Sequence, residues 1–265
     1  MRVAVLGLGE AGSAFAADLT TAGYEVSGFD PGRVPTPDGV SRCASAADAV
    51  AGADLVLVVT GSVEAGEVFD AFIDVLPRGA VVADLSTSAP TAKVARADRT
   101  ASRGPKFVDV ALMTPVPGHG LRTPSFVSGS GAEWYAATLR PLGVPIEVVG
   151  ERAGDASTRK LLRSVTMKGL AAIVIEALHA AERAGVAEWL WHDLAAEMES
   201  ADAALLERLV RGTGVHARRR VHEMEASAAL LTSLGVDPLM TRATIESLRR
   251  VAIEGVPDVP GQMKS

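Results

Sequence analysis

The sequence predicts an α/β fold: a doubly wound, mostly parallel sheet over residues 1–150, then an all-α domain over 151–265 entered by one long helix. Three observations carry this. Short β-branched runs alternate with helical segments through the first 150 residues, strand candidates then cease, and a near-continuous helical pattern runs over 155–184. Strand–helix alternation implies crossover connections, and so a sheet of parallel neighbours.

The strand candidates are residues 2–6, 25–29, 54–59, 80–84, 106–111, 125–128 and 145–149, bounded by Gly, Pro or Asp. Helix candidates between them are 11–22, 45–51, 63–76, 90–101 and 132–139. The helix over 155–184 spans roughly 45 Å at 1.5 Å per residue, and Gly185 is its expected C-terminal stop. Further helices are expected over 188–211, 216–234 and 238–254, and the Pro/Gly-rich segment 255–265 is expected to be mobile.

Composition bounds the function. A chain of 265 residues suits one large domain or two ordinary ones. With 48% hydrophobic residues a sizeable core needs no disulfides, and with only 4% aromatics, alanine-rich close helix packing is expected. The net charge of −6 argues against a nucleic-acid partner, which wants a basic face. Cys43 has no second cysteine to pair with, which fits a reducing compartment. The apolar stretch 165–181 contains Lys168, Glu176 and His179, so it reads as a buried helix and not a membrane span. Glu10 and Asp18 follow the largely apolar residues 2–8 too soon for a secretory signal. A cytoplasmic protein without membrane association is expected. No His/Cys/Asp/Glu cluster has ligand spacing for a metal.

The stretch AVLGLGEAGS, residues 4–13, carries Gly7, Gly9 and Gly12 between a strand and a helix. In a Rossmann-type unit, the first glycine permits the tight turn, the second lets backbone approach a pyrophosphate, and the third lets helix and strand pack closely. The helix N-terminus then points free N–H groups at the phosphates. Gly7, Leu8, Gly9, Glu10, Ala11 and Gly12 are therefore the candidate cofactor loop. Asp30 ends the second strand, where an acid can bond both ribose hydroxyls of an adenosine and repel a 2′-phosphate, so NAD is expected over NADP. Arg33 nearby leaves NADP as the alternative.

The order GLGEAG, then ADLSTSAP, then a long helix with an early lysine resembles the β-hydroxyacid dehydrogenases. That family includes 3-hydroxyisobutyrate dehydrogenase and 6-phosphogluconate dehydrogenase. The resemblance covers nearly the whole chain, and its C-terminal part looks like a less characterised branch. It implies that Ser86 and Thr87 lie near the nicotinamide and its ribose, and that Thr60 and Val63 in LVVTGSVEA line the adenosine-ribose side. It places Lys160 in GDASTRKLLRS on the catalytic lysine, with Ser164 where the family carries asparagine. His222 and Glu223 fall where the family has a Lys-Asp pair. Met113, Thr114 and Pro115 replace a Ser-Gly-Gly run that presents a hydroxyl and amides to a substrate carboxylate, and Pro115 removes one amide donor. These departures fall where substrate choice is made.

Hydride transfer at an alcohol needs a donor to polarise the oxygen and a general acid/base to move its proton. Lysine serves both ends where a desolvated cleft lowers its pKa, and Lys160 falls just past the expected domain boundary. Lys160, Ser164 and Lys168 stand at i, i+4 and i+8, drifting about 40° per step, so they form one polar stripe on an otherwise apolar helix. Lys168 is a candidate for an anionic substrate group, as are Met113, Thr114 and His222 for substrate contact. His119, and the cluster of His216, Arg218 and Arg219, are weaker candidates, with solvated side chains as the alternative. Trp189 and Trp191 read as core or dimer packing. The expected activity is NAD(P)-dependent oxidation or reduction of a small β-hydroxy acid or related alcohol, in a homodimer whose partner helices cover the long helix. Two alternatives stand beside it. One is an imine reductase, a class that resembles this architecture but replaces the lysine; the other is a non-catalytic NAD(P)-binding protein.

Overall fold

The computed structural model describes residues 1–259; residues 260–265, part of the Pro/Gly-rich tail, lie outside the described residues. The chain divides into two compact units, Met1–Arg163 and Ser164–Ser265.

The first unit is built on an eight-stranded sheet in the order β3-β2-β1-β4-β5-β6-β7-β8. The strands are β1 (Arg2–Leu6), β2 (Glu25–Phe29), β3 (Ser41–Arg42), β4 (Leu55–Val58), β5 (Val81–Asp84), β6 (Lys106–Leu112), β7 (Ser125–Ser128) and β8 (Ile146–Gly150). Five helices accompany them: α1 (Glu10–Thr21), α2 (Ala46–Val50), α3 (Ala65–Asp70), α4 (Pro90–Ala101) and α5 (Ala132–Leu139). β1 and β4 are buried on both faces, with alternate residues feeding two separate cores. Val3, Val5, Leu55 and Leu57 enter one; Ala4, Leu6, Val56 and Val58 enter the other, against Phe69, Phe72 and Phe107. That is why these strands read as unbroken apolar runs. β1 pairs with β2 on one side and β4 on the other, so strand order reverses there. In such sheets ligands bind beyond the carboxyl ends of the strands at the reversal.

The sheet is parallel except where β6 meets β7 antiparallel. Their connection holds a single 3₁₀ turn, Gly120–Arg122, pinned by the Leu121 N–H donating to Asp18 Oδ2 at 2.7 Å. The expected helix over 63–76 is shorter: α3 ends at Asp70, and turns carry Phe72 and Ile73 into the core.

α6 (Asp155–Ala184) is continuous, ends before Gly185 at φ +75°, and contains the division between the units. The second unit continues with α7 (Ala187–Glu199), α8 (Ala203–Ser233) and α9 (Leu239–Glu254). The expected helices over 188–211 and 216–234 are repartitioned. Asp202 caps α8, its carboxylate accepting from Leu205 N–H at 2.9 Å, so the break falls near residue 201. No turn forms over the Gly-Thr-Gly run; α8 passes through it with a kink at His216 (φ −116°, ψ 15°). α8 and α9 share a small core of Val221, Ile245 and Leu248. Glu176 on α6 holds the first turn of α9, accepting from Met240 N–H (2.7 Å), Thr241 N–H (2.9 Å) and Thr241 Oγ1 (2.7 Å). Burial pushes its carboxyl up, but these donors outweigh it and hold it below the usual range. Val165, Met167, Leu170, Ile173 and Ile175 on α6 are exposed, so among the described residues nothing covers the stretch expected to be buried. Trp189 and Trp191 are likewise exposed, outside any core formed by the described residues. Among the described residues no helix is long and apolar enough to cross a membrane.

Candidate active site

The glycine loop closes for steric reasons at each end. Gly7 has φ +97°, and a Cβ there would lie 2.2 Å from the Val59 carbonyl oxygen. A Cβ on Gly12 would lie 1.8 Å from the Gly7 carbonyl oxygen, so helix α1 docks against the turn only with glycine. Gly9 is different: nothing lies within 4 Å of its would-be Cβ. It is also the N-cap of α1, with no side-chain cap on the helix. The first-turn N–H groups of α1 thus present a positive end toward open space. Beside them Thr60 Oγ1 is buried without a hydrogen-bond partner. A cavity of about 360 Å³ joins these features, lined by Gly9, Glu10, Thr60, Leu85, Thr87 and Leu112. Bare donors, an open glycine and an orphaned hydroxyl fit a dinucleotide across the reversal of strand order. Val63 lies in the turn before α3 and is 84% exposed.

Asp30 holds this loop from the other side. Its Oδ2 accepts from Leu8 N–H at 2.8 Å and its Oδ1 from Gly32 N–H at 2.7 Å. Both carboxylate oxygens expected to meet ribose hydroxyls therefore already serve the backbone, and each keeps a further lone pair for a ligand. The loop after β2 is tied down by Arg42, which donates to the carbonyls of Asp30, Gly32 and Val34.

Thr87, in the loop after β5, meets Lys160 from the second turn of α6: Lys160 Nζ donates to Thr87 Oγ1 at 3.1 Å. Three residues on, Arg163 donates to the Met113 carbonyl at 3.0 Å, beside exposed Thr114 and Pro115. Beneath these contacts lies a polar cluster that sequence reasoning missed. Asp84, Lys93 and Asp109 are each 0% exposed. Asp84 accepts from Ser86 N–H and Oγ, pairs with Lys93 Nζ at 3.0 Å, and pairs with Arg96 at 2.7 Å. Burial pushes the Asp84 carboxyl up, but Lys93, Ser86 and Arg96 outweigh it and hold it below the usual range. Asp109 accepts from Gly154 N–H (3.1 Å), Ser157 N–H (2.9 Å) and Ser157 Oγ (2.6 Å), capping α6. An acid inside the apolar run FVDVAL was the signal available in the sequence.

Lys160 and Thr87 are thus brought together, and Met113 is joined to Arg163. Ser164 and Lys168 follow on α6 in the second unit, and His222 lies on α8, 82% exposed at its side chain, 3.3 Å from Glu225. His119 sits in an exposed turn before the 3₁₀ helix.

The family model for the NAD binding domain of 6-phosphogluconate dehydrogenase matches residues 2–138. The chain belongs to this family. A second model, a domain of unknown function (DUF1932), matches residues 181–251, the part that resembled a less characterised branch. Among solved structures similar to this 6-phosphogluconate dehydrogenase-type chain is a conserved hypothetical protein from Sinorhizobium meliloti 1021. It is 30% identical, with 97% of this chain and 91% of that one covered and a TM-score of 0.62. An imine reductase from Streptomyces aurantiacus is 23% identical over 97% and 96% of the two chains, with a TM-score of 0.76. A reductive aminase from Aspergillus terreus, solved with NADPH and ethyl levulinate, is 20% identical over 96% and 94%, with a TM-score of 0.78. An uncharacterised 28.5 kDa protein of Methanothermus fervidus is 32% identical over 146 residues, and this chain spans 57% of its length.

Proposed function

We propose that the chain is an NAD(P)-dependent oxidoreductase that transfers a hydride between the nicotinamide and a small β-hydroxy acid or related alcohol or carbonyl compound. The observation that carries this is the 3.1 Å contact of Lys160 Nζ with Thr87, itself a wall of the cavity that begins at the bare N-terminus of α1. When bound, the nicotinamide supplies or accepts the hydride. Gly9 and the first turn of α1 bind the pyrophosphate, and Asp30 favours a free ribose 2′-hydroxyl. Lys160 donates a proton to the nascent alkoxide in reduction, or accepts the hydroxyl proton in oxidation. The lysine favours a hydroxy acid over the imines suggested by the Streptomyces neighbour.

The partner of the second unit is a second copy of the chain. α6 has no single apolar stripe, and Leu162, Val165, Met167 and Ile175 stand exposed along it. An apolar cavity of about 430 Å³ lies alongside, lined by Ile173, Leu230, Leu231 and Met240. Large apolar side chains exposed along one helix mark a contact surface, and among the described residues nothing covers them.

The test is a turnover screen of wild type and Lys160→Ala against hydroxy acids, aldehyde acids and cyclic imines, with NAD(H) and NADP(H) in parallel. Lys160→Ala is expected to lower kcat by ~10²–10⁴-fold while cofactor still binds; activity that survives the substitution overturns the assignment. Gly12→Ala is expected to abolish cofactor binding by fluorescence titration, because its methyl meets a backbone carbonyl. Gly9→Ala should leave stability unchanged and weaken cofactor binding alone.

A further inference from the structure

We infer that Lys93 is a positioning residue that locks the loop carrying Thr87 to the helix turn carrying Lys160. Two segments some 70 residues apart in sequence must meet for that contact to exist, and each is organised by its own buried carboxylate. Asp84 shapes the first: its Oδ1 takes both the N–H and the hydroxyl of Ser86, at 2.9 and 2.6 Å, and Ser86 precedes Thr87. Asp109 shapes the second through Gly154 and Ser157, three residues before Lys160. Ser128 adds to this cap, accepting from Ala156 N–H at 3.0 Å.

Lys93 stands between the two acids. Its Nζ donates to the Asp84 carbonyl at 2.7 Å and pairs with Asp84 Oδ1 at 3.0 Å and Asp109 Oδ1 at 3.4 Å. The ammonium is wholly buried, so its three protons are directed to these acceptors and not to solvent. Arg96 cannot take its place: its guanidinium reaches Asp84 and Ser88, both on the loop side. With Lys93 and Arg96 against Asp84 and Asp109, the cluster is charge-balanced. Without Lys93 it holds one surplus buried negative charge, and two carboxylates share a dry site. Such a pair relieves itself by taking up a proton or by opening. Either outcome costs hydrogen-bond acceptors on which both segments depend. The nearest alternative is that Lys93 merely fills space under α4; a filler would loosen only its own surroundings.

The experiment is amide hydrogen exchange by peptide mass spectrometry on the full chain. Lys93→Met is expected to raise exchange by ~10-fold or more in both the 84–90 and 152–160 segments together, with residues 2–12 unchanged. Lys93→Met/Asp109→Asn restores charge balance and provides the folded comparator if the single variant does not fold. It is expected to protect 84–90 as in wild type and to expose 152–160. A rise in one segment only in Lys93→Met, or an even rise across the whole sheet, overturns the proposal. So does loss of protection at 84–90 in the double variant.

The link to turnover rests on the assignment of Lys160 above, and a second readout separates the two. On any substrate that wild type turns over, Lys93→Met or the folded double variant should lower kcat by ~10–100-fold with the cofactor KM within about twofold. Coupled exchange with unchanged kcat would show that Lys93 locks the segments but that Lys160 is not the proton-transfer group. Uncoupled exchange overturns the lock whatever Lys160 does.

Discussion

The two units handle polar and apolar groups in opposite ways. The first buries charge: Asp84, Lys93 and Asp109 are wholly enclosed, and each has a partner. Its apolar residues fill two cores on the faces of one sheet. The second exposes Leu206, Leu209, Leu230 and Ile253 while its core cluster comprises Val221, Ile245 and Leu248. The contrast teaches that the first unit encloses its charges and its apolar residues, while the second leaves large apolar side chains at its surface. A buried charge needs geometry that one chain can fix, whereas an exposed apolar helix needs area, which the second copy proposed above would supply.

The comparison can be broken most readily in the first unit. Phe69 is fully buried, edge-on to Phe72 at 5.1 Å and Phe107 at 6.3 Å between centroids. Phe69→Ala is expected to cost ~3–5 kcal/mol, read by chemical denaturation. Ile253, 86% exposed, is the control; Ile253→Ala should cost less than ~0.5 kcal/mol unless a second copy covers it. Glu176→Gln comes next, at ~1–2 kcal/mol at neutral pH, because charge-assisted bonds to the start of α9 are weakened. The sign follows from its lowered pKa: the stabilisation is present above the ordinary value of 4.5 and is lost as pH falls through the folded value. Wild type should therefore lose stability in acid more steeply than Glu176→Gln, measured by thermal melts between about pH 5 and 3. Apart from the Ile253 control, the smallest effect is expected for Asp202→Ala, ~1 kcal/mol from the lost cap of α8, read as a small fall in the melting temperature.

Much of the first unit was legible. β1 and β2 were read at their observed ends because β-branched runs stop at glycine or aspartate. β3 was missed because Ser41–Arg42 is two exposed edge residues with no pattern to detect. The reversal at β6–β7 had a signal: the chain between them offers no crossover helix, which a parallel pair requires. Gly7, Gly12, Thr60, Thr87 and Lys160 were named from motif and resemblance. The cluster beneath them was not, because Lys93 and Arg96 in PTAKVARADRT look like an ordinary solvated helix face. Only tertiary placement shows that this face is turned inward. In the second unit Asp202 carried a capping signal that was overlooked, while the Gly-Thr-Gly run suggested a turn that α8 tolerates with a kink.

The uncapped start of α1 has a consequence for how the protein melts. Its first amides have no side-chain cap, and the buried Thr60 hydroxyl has a desolvation cost that no group among the described residues offsets. A ligand that satisfies them binds the native state and not the unfolded one. At a hundred times its dissociation constant such a ligand adds about 2.7 kcal/mol to unfolding. The protein's heat resistance is therefore set in part by the supply of its coenzyme, and a depleted pool leaves it closer to unfolding.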